Sequence, residues 1–401
     1  MTGTVKTSED RAFQTLEHVR TETTDSVEGV APFEAAQYVD PAIAAREREQ
    51  LFGRVPSIVA HRSELAEPGD FLTVQMPRNR VIAVRQYDGG LKAFVNLNHQ
   101  GWPLDEQGRA SVSRFTCKDG CFYDLAGEHH PADTNTRTGA SGSDDPVAGH
   151  DTDAAEQPAL VELPIEERHG LVWLVDRAGT SIDLAEWLGP DMDAVLSSYD
   201  LPDMVCFRFE AFDEPTNWKL MQDAFIDAYH IQYAHPNTAA KHIYTNIQTV
   251  EDFGRHSRVC APRKSISRYL DDDPAGLDGS DLASHVTDSH FLLPNSTLLR
   301  QPDNHFELLT FRPHPTEPGR CTMEMRLLVP RVENSSLPLE RWNRVWEKNW
   351  DILISVLLQE DFPLLRASQS GMASADAGPM LLGRNEVINH IFHREYAALM
   401  A

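Results

Sequence analysis

The chain has 401 residues, of which 41% are hydrophobic and 24% are charged, and its formal net charge is −25 at pH 7. These proportions are typical of a globular protein with its own hydrophobic core, and the negative charge argues against nucleic acid or an anionic membrane as a partner. Five cysteines in this length do not suggest a disulfide framework. No apolar run is long enough to span a bilayer, and the first ten residues lack the apolar segment of a signal peptide. We therefore expect a cytoplasmic location.

The first half of the chain predicts a helical segment followed by a small β domain. Residues 1–50 form the predicted N-terminal segment, which we expect to pack on the C-terminal domain, with Pro41 at a helix start. Residues 51–180 form the predicted β domain, where turn residues such as Pro68–Asp70 separate short apolar strands. Within it, residues 131–158 contain almost no large apolar side chain, which predicts a flexible acidic insertion.

The second half, residues 181–401, predicts an antiparallel sheet packed with helices. Alternating apolar residues and helical spacing of tryptophans carry this interpretation. The predicted elements are a helix over 226–233, strands over 291–300, 306–312 and 321–329, and a helix over 340–360. The fold class predicted for the whole chain is α+β.

Two histidines and a distant acid in the second half form a candidate metal site. In a helix, Asp227 and His230 would share one face, and Pro236 would end the helix so that His235 folds back beside His230. Two neutral imidazoles need a carboxylate to compensate a divalent cation, and a hard oxygen donor suits Fe(II). Asp361 is the best candidate, because a carboxylate at the C-terminal end of the long helix requires compensation against the helix dipole. With 17 histidines in the chain, such spacing also arises by chance.

These residues belong to a longer pattern that runs through the second half of the chain. The pattern consists of Asn217, Trp218, Lys219, Asp223, Phe225, Asp227, Tyr229, His230, His235, Pro236, Pro294, Asn295, Glu360, Asp361, Gln369, Ser370, Gly371, Gly383, Arg384, Asn385 and Glu386. In this order, the chain resembles the α subunits of Rieske-type ring-hydroxylating oxygenases.

The resemblance implies both a fold and a set of site residues. It implies a Rieske-like β-sandwich over residues 51–180 and a helix-grip iron domain over residues 181–401. It implies that His230, His235 and Asp361 bind a mononuclear Fe(II). It also implies that Asp227 is the catalytic acid that links an iron-bound histidine to the cluster of a neighbouring subunit, as an acid that fixes an imidazole tautomer does.

The Rieske-like domain departs from the family pattern. Family members hold a 2Fe–2S cluster with Cys-x-His and Cys-x-x-His, whereas this chain has Asn-Leu-Asn-His-Gln-Gly over 96–101 and Cys-Lys-Asp-Gly-Cys-Phe-Tyr-Asp over 117–124. Only His99 and Cys117 remain of the four ligand positions. We therefore expect the domain to fold as a β-sandwich without its cluster.

A rebuilt metal site in this domain is an open alternative. A zinc site formed by His99, Cys117, Cys121 and a later histidine, such as His129 or His130, has plausible ligand types. However, the spacing matches no standard zinc motif. Ordinary thiols and surface histidines are the competing interpretation.

The resemblance leaves three functions open. Rieske oxygenases form rings in which the cluster of one subunit feeds the iron of the next, which implies an intact paralogue in a trimer or hexamer, with a ferredoxin or flavin reductase upstream. This chain would then use O2 to hydroxylate or demethylate a small organic substrate, with aromatic compounds as one candidate class. The second function is a non-catalytic structural or regulatory subunit, and the third is an iron site that works without a cluster. Retention of the iron ligands favours the first, and loss of the cluster ligands favours the second.

Four apolar residues are candidates for the lining of a substrate pocket. They are Phe225, Tyr233, Phe291 and Leu293. Core packing explains each of them equally well.

Overall fold

The computed structural model describes residues 6–118, 120–131, 158–374 and 376–401. The insertion predicted at 131–158 therefore lies almost wholly outside the described residues. The described helices are α1 (Ser8–Thr21), α2 (Pro41–Arg46), α3 (Leu184–Ser197), α4 (Trp218–Ile226), α5 (Ile231–Ala234), α6 (Gly279–Ala283), α7 (Leu339–Val356), α8 (Phe362–Met372) and α9 (Val387–Met400).

The strands pair only with antiparallel neighbours within the described part of the chain. They are β1 (Ala31–Phe33), β2 (Ser57–His61), β3 (Asp70–Gln75), β4 (Arg80–Arg85), β5 (Leu91–Val95), β6 (Arg109–Ser111), β7 (Phe115–Thr116), β8 (Phe122–Tyr123), β9 (His129–His130), β10 (Glu162–Leu163), β11 (Ile165–Arg168), β12 (Leu171–Leu174), β13 (Met204–Glu214), β14 (Thr249–Asp252), β15 (Ser257–Pro262), β16 (Val286–Leu292), β17 (Ser296–Arg300), β18 (Phe306–Pro313), β19 (Cys321–Pro330) and β20 (Met380–Leu382). The α+β class predicted from the sequence is confirmed.

Strands β2 to β12 build what we call the sandwich region, residues 57–174. Its sheets have the orders β10-β5-β4-β3-β6, β11-β12-β2 and β7-β8-β9. Gly127, between β8 and β9, allows the small sheet to lie close to the ring of Phe94. Its φ is +86°, and a Cβ at this position would lie 2.6 Å from Cε1 of Phe94. Glycine tolerates both the backbone conformation and the close approach of the ring.

The C-terminal region, residues 201–401, is built on a seven-stranded sheet with the order β13-β19-β18-β17-β16-β15-β14. Strands β18 and β19 confirm the strands predicted over 306–312 and 321–329. The single strand predicted over 291–300 is wrong, because β16 ends at Leu292 and β17 begins at Ser296. Pro294 lies between them and has no N–H to donate to a sheet, which favours a hairpin turn over a continuous strand.

The helix predicted over 340–360 does not end where the sequence suggested. Helix α7 passes into a π-helical turn, Leu357–Asp361, which joins α8 directly. Asp361 therefore stands at the N-terminal boundary of α8, where a negative charge is favourable, rather than at a helix C-terminus, and its side chain makes no capping hydrogen bond. The dipole argument for a compensating cation at Asp361 is wrong for this reason. A π turn inside a helix is a common feature of functional sites.

Buried arginines of the large sheet hold the sandwich region in place. Arg312 donates to the carbonyl of Ile58 at 2.6 Å, and Arg326 donates to the carbonyl of Val59 at 2.8 Å. Both guanidinium groups also bond Glu324. Burial alone would raise the pKa of Glu324, but the two cations outweigh it and hold this pKa at about 2. Charge-assisted bonds therefore fix strand β2 against the C-terminal region.

The N-terminal segment is only partly helical. Pro41 begins α2 as predicted, and Asp40 caps the helix by accepting from the backbone N–H of Ala42. Beyond α2, the carboxylate of Glu47 is buried and bonds the Lys219 ammonium group. The same carboxylate accepts from Nε1 of Trp218 at 2.9 Å and from the hydroxyl of Tyr396 at 2.5 Å, which ties the segment to α4 and α9. None of the described helices combines the length and apolar character of a membrane span.

Candidate metal centre

The three residues predicted as iron ligands lie together, although 126 positions separate His235 from Asp361 in the sequence. One ligand atom from each of His230, His235 and Asp361 lies within 4.8 Å of the others, and we call these residues the C-terminal cluster. Oδ1 of Asp361 is 3.0 Å from Nε2 of His235 and 3.8 Å from Nε2 of His230. His235 and Asp361 are buried, and His230 is half-buried.

The backbone between α4 and α5 brings the two histidines together. The helix predicted over 226–233 is interrupted, because α4 ends at Ile226, Asp227 is extended, and α5 begins only at Ile231. The carboxylate of Asp227 accepts from the backbone N–H groups of Tyr229 at 2.8 Å and His230 at 2.9 Å. Aspartate competes in this way with helical hydrogen bonding. Asp227 and His230 are therefore neighbours through a capped turn, not through one helix face.

Each imidazole is held by its Nδ1 atom, which leaves Nε2 facing the carboxylate. Nδ1 of His230 lies 2.6 Å from the backbone carbonyl oxygen of Asp227. Nδ1 of His235 lies 2.6 Å from Oε2 of Glu360, which also accepts from the hydroxyl of Thr238 at 2.7 Å. With hydrogen on each Nδ1, both Nε2 atoms carry the lone pairs that a metal needs. The ring of His230 is therefore oriented by the backbone carbonyl of Asp227, whereas the resemblance assigned this role to the Asp227 carboxylate.

Glu360 is a positioning residue that the sequence did not single out. Its only sequence signal is that it stands immediately before Asp361 in the family pattern. In a regular α-helix, neighbouring residues point about 100° apart. The π turn that contains both residues directs both carboxylates towards His235.

The pKa values of the two imidazoles are shifted in opposite directions. Burial lowers the pKa of His230. Burial also acts to lower the pKa of His235, but the carboxylates of Asp361 and Glu360 outweigh this effect and raise it. Burial raises the pKa of Asp227 to about 6, against the two backbone N–H groups that favour its charged form. A metal cation and a proton therefore compete for Nε2 of His235.

The C-terminal cluster borders a cavity of about 890 Å³. Of the four apolar residues predicted as candidates, Phe225 lines this cavity, Phe291 and Leu293 lie in the hydrophobic core, and the side chain of Tyr233 faces solvent. The remaining apolar lining includes Val259, Leu299, Leu309, Met325 and Leu353.

A charged group of side chains forms another part of the cavity lining. It contains Arg263, Asp303, His305 and Glu307. Nδ1 of His305 lies 2.7 Å from Asp303, and Nε2 lies 3.6 Å from Glu307. Although burial acts to lower it, the two carboxylates raise the pKa of His305 to about 9. The imidazolium therefore partly neutralises this acidic part of the cavity at pH 7.

The donor set fits Fe(II). Two imidazole nitrogens and one carboxylate oxygen on one face are the ligands of non-haem Fe(II) oxygenases, and they leave other coordination positions open. An ion held by His230, His235 and Asp361 would border the cavity, because all three residues contribute to its lining.

A second group of metal-ligand side chains lies in the sandwich region. Ligand atoms of His99, Cys121 and His129 all lie within 4.8 Å of one another, and we call these residues the sandwich cluster. Cys117, predicted with His99 as a remnant of the 2Fe–2S site, is close in the same hairpin but does not belong to this group. His130 also lies outside it, with its ring stacked on Phe122.

The other cysteines are not part of either cluster. Cys260 and Cys321 are buried, whereas Cys206 is only partly buried. Burial raises the pKa of all three thiols.

Residues 201–401 match the family model described as the ring hydroxylating alpha subunit (catalytic domain). This match covers half of the chain, and the chain therefore belongs to the family of ring-hydroxylating alpha subunits, as the sequence pattern predicted.

Curated relatives agree with this assignment. The alpha subunit of biphenyl dioxygenase from Metapseudomonas furukawaii is 29% identical over 208 residues, which is 48% of this chain and 42% of that protein. The oxygenase subunit of carnitine monooxygenase from Escherichia coli (strain K12) is 30% identical over 204 residues, which is 50% of each chain. The chain thus spans about half the length of the curated relatives it matches.

Solved structures extend the likeness in fold to almost the whole chain. The quaternary ammonium Rieske monooxygenase CntA in complex with L-carnitine has a TM-score of 0.71, with 18% identity and 98% of both chains covered. Naphthalene 1,2-dioxygenase from Rhodococcus sp. bound to indole also has a TM-score of 0.71, with 17% identity and 98% of both chains covered. The sandwich region is thus included in the shared fold.

Proposed function

We propose that the chain is an oxygenase subunit that uses a mononuclear Fe(II) at His230, His235 and Asp361 to hydroxylate or demethylate a small organic substrate with O2. In this proposal, residues 181–401 form the catalytic domain and residues 51–180 form a Rieske-like domain. The observation that carries it is the position of two imidazoles and one carboxylate on the wall of a cavity of about 890 Å³.

The residues around the cluster support this chemistry. Bound Fe(II) would supply the ability to activate O2 beside a substrate. Glu360 accepts the Nδ1 hydrogen of His235, and the backbone carbonyl of Asp227 accepts that of His230, so both rings are oriented before a metal arrives. The apolar wall, which includes Phe225, excludes water from the substrate, and the charged group at His305 offers polar contacts.

We further propose that electrons reach this iron from the 2Fe–2S cluster of an intact paralogue in a mixed oligomer. The contacts of Asp227 support this role, because its main chain and carboxylate both bond His230. A surface lies nearby: the hydroxyl groups of Tyr229 and Tyr233 are 3.0 Å apart, and Tyr233 is 67% exposed. An exposed aromatic pair at this position fits contact with a partner subunit.

A non-catalytic structural or regulatory subunit is the second candidate, and one observation favours it. In the loop where the family carries its first cluster cysteine, Asn98 accepts from the backbone N–H groups of Gln100 and Trp102 at 3.0 and 2.9 Å. Asparagine here organises the loop and offers no thiolate. The residues present therefore do not fit the cluster of the family, and a subunit without an electron source of its own fits a structural or regulatory role.

Iron content of the purified chain tests the first part of the proposal. We expect one Fe(II) per chain after anaerobic loading, and a high-spin electron paramagnetic resonance signal when nitric oxide, a probe for an open coordination position, is added. Asp361→Ala should lose both. Asp351→Ala, which removes an exposed acid on α7, is the matched control and should keep both. Wild-type chain that binds no Fe(II) would contradict the proposal.

A mixed oligomer tests whether this chain is a catalytic or a structural subunit. The chain is coexpressed with an intact Rieske paralogue whose own mononuclear-iron ligands are replaced by alanine. Candidate substrates are L-carnitine and biphenyl, which are taken from the matched relatives. Product that depends on Asp361 of this chain supports catalysis. A complex that forms normally but yields no product with either compound, while the unaltered paralogue turns them over, supports the structural alternative.

A further inference from the structure

We propose that the sandwich cluster, formed by His99, Cys121 and His129, binds one Zn(II) ion where the family fold holds its 2Fe–2S cluster. The first support is geometric. All three ligand atoms lie within 4.8 Å of one another. Ligands of one tetrahedral zinc lie about 3.5 Å apart, given bonds of about 2.0–2.3 Å. Side-chain movements of about 1 Å would complete the contacts.

The geometry fits one ion better than a two-iron cluster. In a Rieske centre, the two thiolates bind one iron and the two imidazoles bind the other. A thiolate and two imidazoles that converge on one point would instead share a single ion. Zinc is the metal that suits this donor set, because it accepts mixed sulfur and nitrogen ligands and prefers tetrahedral geometry.

Three separate segments of the sandwich region supply the ligands. His99 lies in the loop after β5, Cys121 lies at the end of the β7–β8 hairpin, and His129 begins β9. The hairpin is closed by the backbone N–H of Cys117, which donates to the carbonyl of Cys121 at 3.0 Å. Strand pairing places His129 opposite Tyr123. A single ion would therefore join three separate segments of the sandwich region.

The surroundings of the sandwich cluster favour metal binding. Cys121 is 5% exposed, so a bound thiolate would be shielded from solvent. The hydroxyl oxygen of Tyr123 lies 3.2 Å from Nδ1 of His99 and accepts from the backbone N–H of His99 at 3.0 Å, which orients this residue beside the cluster. The rings of His99 and His129 are nearly perpendicular, with centroids 5.1 Å apart. Binding would release the proton of the Cys121 thiol and involve no change of oxidation state.

A Zn(II) ion at the sandwich cluster would stabilise the fold without carrying electrons. Zn(II) has no accessible second oxidation state in proteins, so this region could not relay an electron to a neighbouring subunit. Structural zinc contributes its binding free energy to folding. The ion would thus preserve the sandwich region after loss of the family ligands.

Cobalt substitution tests this site independently of the C-terminal cluster. Co(II) bound by a thiolate gives a sulfur-to-cobalt charge-transfer band in the near ultraviolet, and the C-terminal cluster has no cysteine to produce it. After removal of metal with a chelator, full-length chain titrated with CoCl2 should show this band, and ZnCl2 should abolish it. Cys121→Ser and His129→Ala should lose the band. His130→Ala is the matched control and should keep it, because neighbouring residues of a strand point to opposite faces.

Zinc content and thermal stability give a second measurement. The Asp361→Ala variant removes metal bound at the C-terminal cluster. Purified Asp361→Ala protein should still contain one equivalent of zinc, bound at the sandwich cluster. Chelation should lower the thermal midpoint of this protein but leave that of Asp361→Ala combined with His129→Ala unchanged. Absence of the charge-transfer band in wild-type chain, its persistence in Cys121→Ser, or two irons with acid-labile sulfide at this position would each overturn the proposal.

Discussion

The two metal-ligand clusters differ in what they keep from the family pattern. The C-terminal cluster keeps the residues that the family pattern implies as ligands, and the capped turn at Asp227 and the π turn before α8 fix their positions. The sandwich cluster keeps the scaffold and His99, but its other two members, Cys121 and His129, lie at positions that the family pattern does not use. Short strands joined by hairpins offer several places from which a donor can reach the same point. The fold thus specifies where donors meet more strictly than which residues supply them.

The largest loss of stability should follow from breaking the buried ion pair between Glu47 and Lys219, which ties the N-terminal segment to α4. This loss should begin in the C-terminal region. Glu47→Ala leaves the Lys219 ammonium group buried without its carboxylate. Loss of one partner of a buried ion pair costs about 3–5 kcal/mol. We expect a lower urea midpoint, measured by circular dichroism. Glu34→Ala, at an exposed position, should leave the midpoint unchanged. A midpoint for Glu47→Ala equal to that of wild type would contradict this role.

Acid should weaken both regions through buried neutral histidines. Burial lowers the pKa of His61 in the sandwich region and of His256 in the C-terminal region to about 4. The unfolded pKa is about 6.5, so the unfolded chain binds more protons between these values. Stability is therefore fully present above pH 6.5 and falls as pH drops towards 4, by about 3 kcal/mol for each ring.

Urea unfolding at pH 7 and pH 5 measures this effect. His256→Asn, whose amide can still donate to the carbonyl of Trp187 and accept from Leu293, should show a smaller loss between the two pH values. His61→Asn should reduce the loss by a similar amount if the two regions contribute equally. An unchanged pH dependence in both variants would show that neither imidazole is held neutral by burial.

A backbone substitution should disturb the sandwich region and spare the C-terminal cluster. Gly127→Ala introduces a positive-φ alanine whose Cβ would lie 2.6 Å from Phe94, at a combined cost of about 2–4 kcal/mol. Gly108→Ala also has a positive φ, but nothing lies within 4 Å of its Cβ. The difference between the two variants therefore measures the contact with Phe94. We expect Gly127→Ala to lower the thermal midpoint more, while Fe(II) loading stays at the wild-type level.

The smallest effect should come from the residue that orients His235. Glu360→Ala removes the acceptor for Nδ1 of His235, and such losses typically weaken metal affinity 10–100-fold. Thr238→Val removes only a hydrogen bond to Glu360 and should weaken Fe(II) binding less. Competition with a chromogenic chelator measures both affinities. Equal affinity in wild type and Glu360→Ala would show that the ring is held in place without this carboxylate.

Much of the C-terminal cluster could be predicted from the sequence, because the family pattern names its residues directly. The local structure was harder to predict. The three-residue spacing of Asp227 and His230 indicated a helix, but the Asp227 carboxylate bonds the backbone and ends α4 instead. Helical periodicity likewise gave no sign of the π turn, since one additional residue in a turn leaves the apolar stripe of α7 intact.

The sandwich cluster was less accessible to sequence reasoning. Its ligand types were recognised, yet zinc motifs are identified by local spacing, and these donors come from three segments. They meet through the pairing of β7, β8 and β9, which are each two residues long. Strands of this length show no periodicity, so their register is determined by tertiary contacts.

The π turn at Leu357–Asp361 holds one residue more than a regular α turn. Removing a single residue there, such as the exposed Leu358, would convert it into an α turn and leave α8 in nearly the same phase. Arg366 would still reach Glu214, and Gln369 would still reach the backbone N–H of Asn217. Glu360 and Asp361 would then point about 100° apart, as neighbours in a regular α-helix do, and would no longer both face His235. The additional residue therefore serves the ligand geometry, and its loss would cost the site more than it costs the fold.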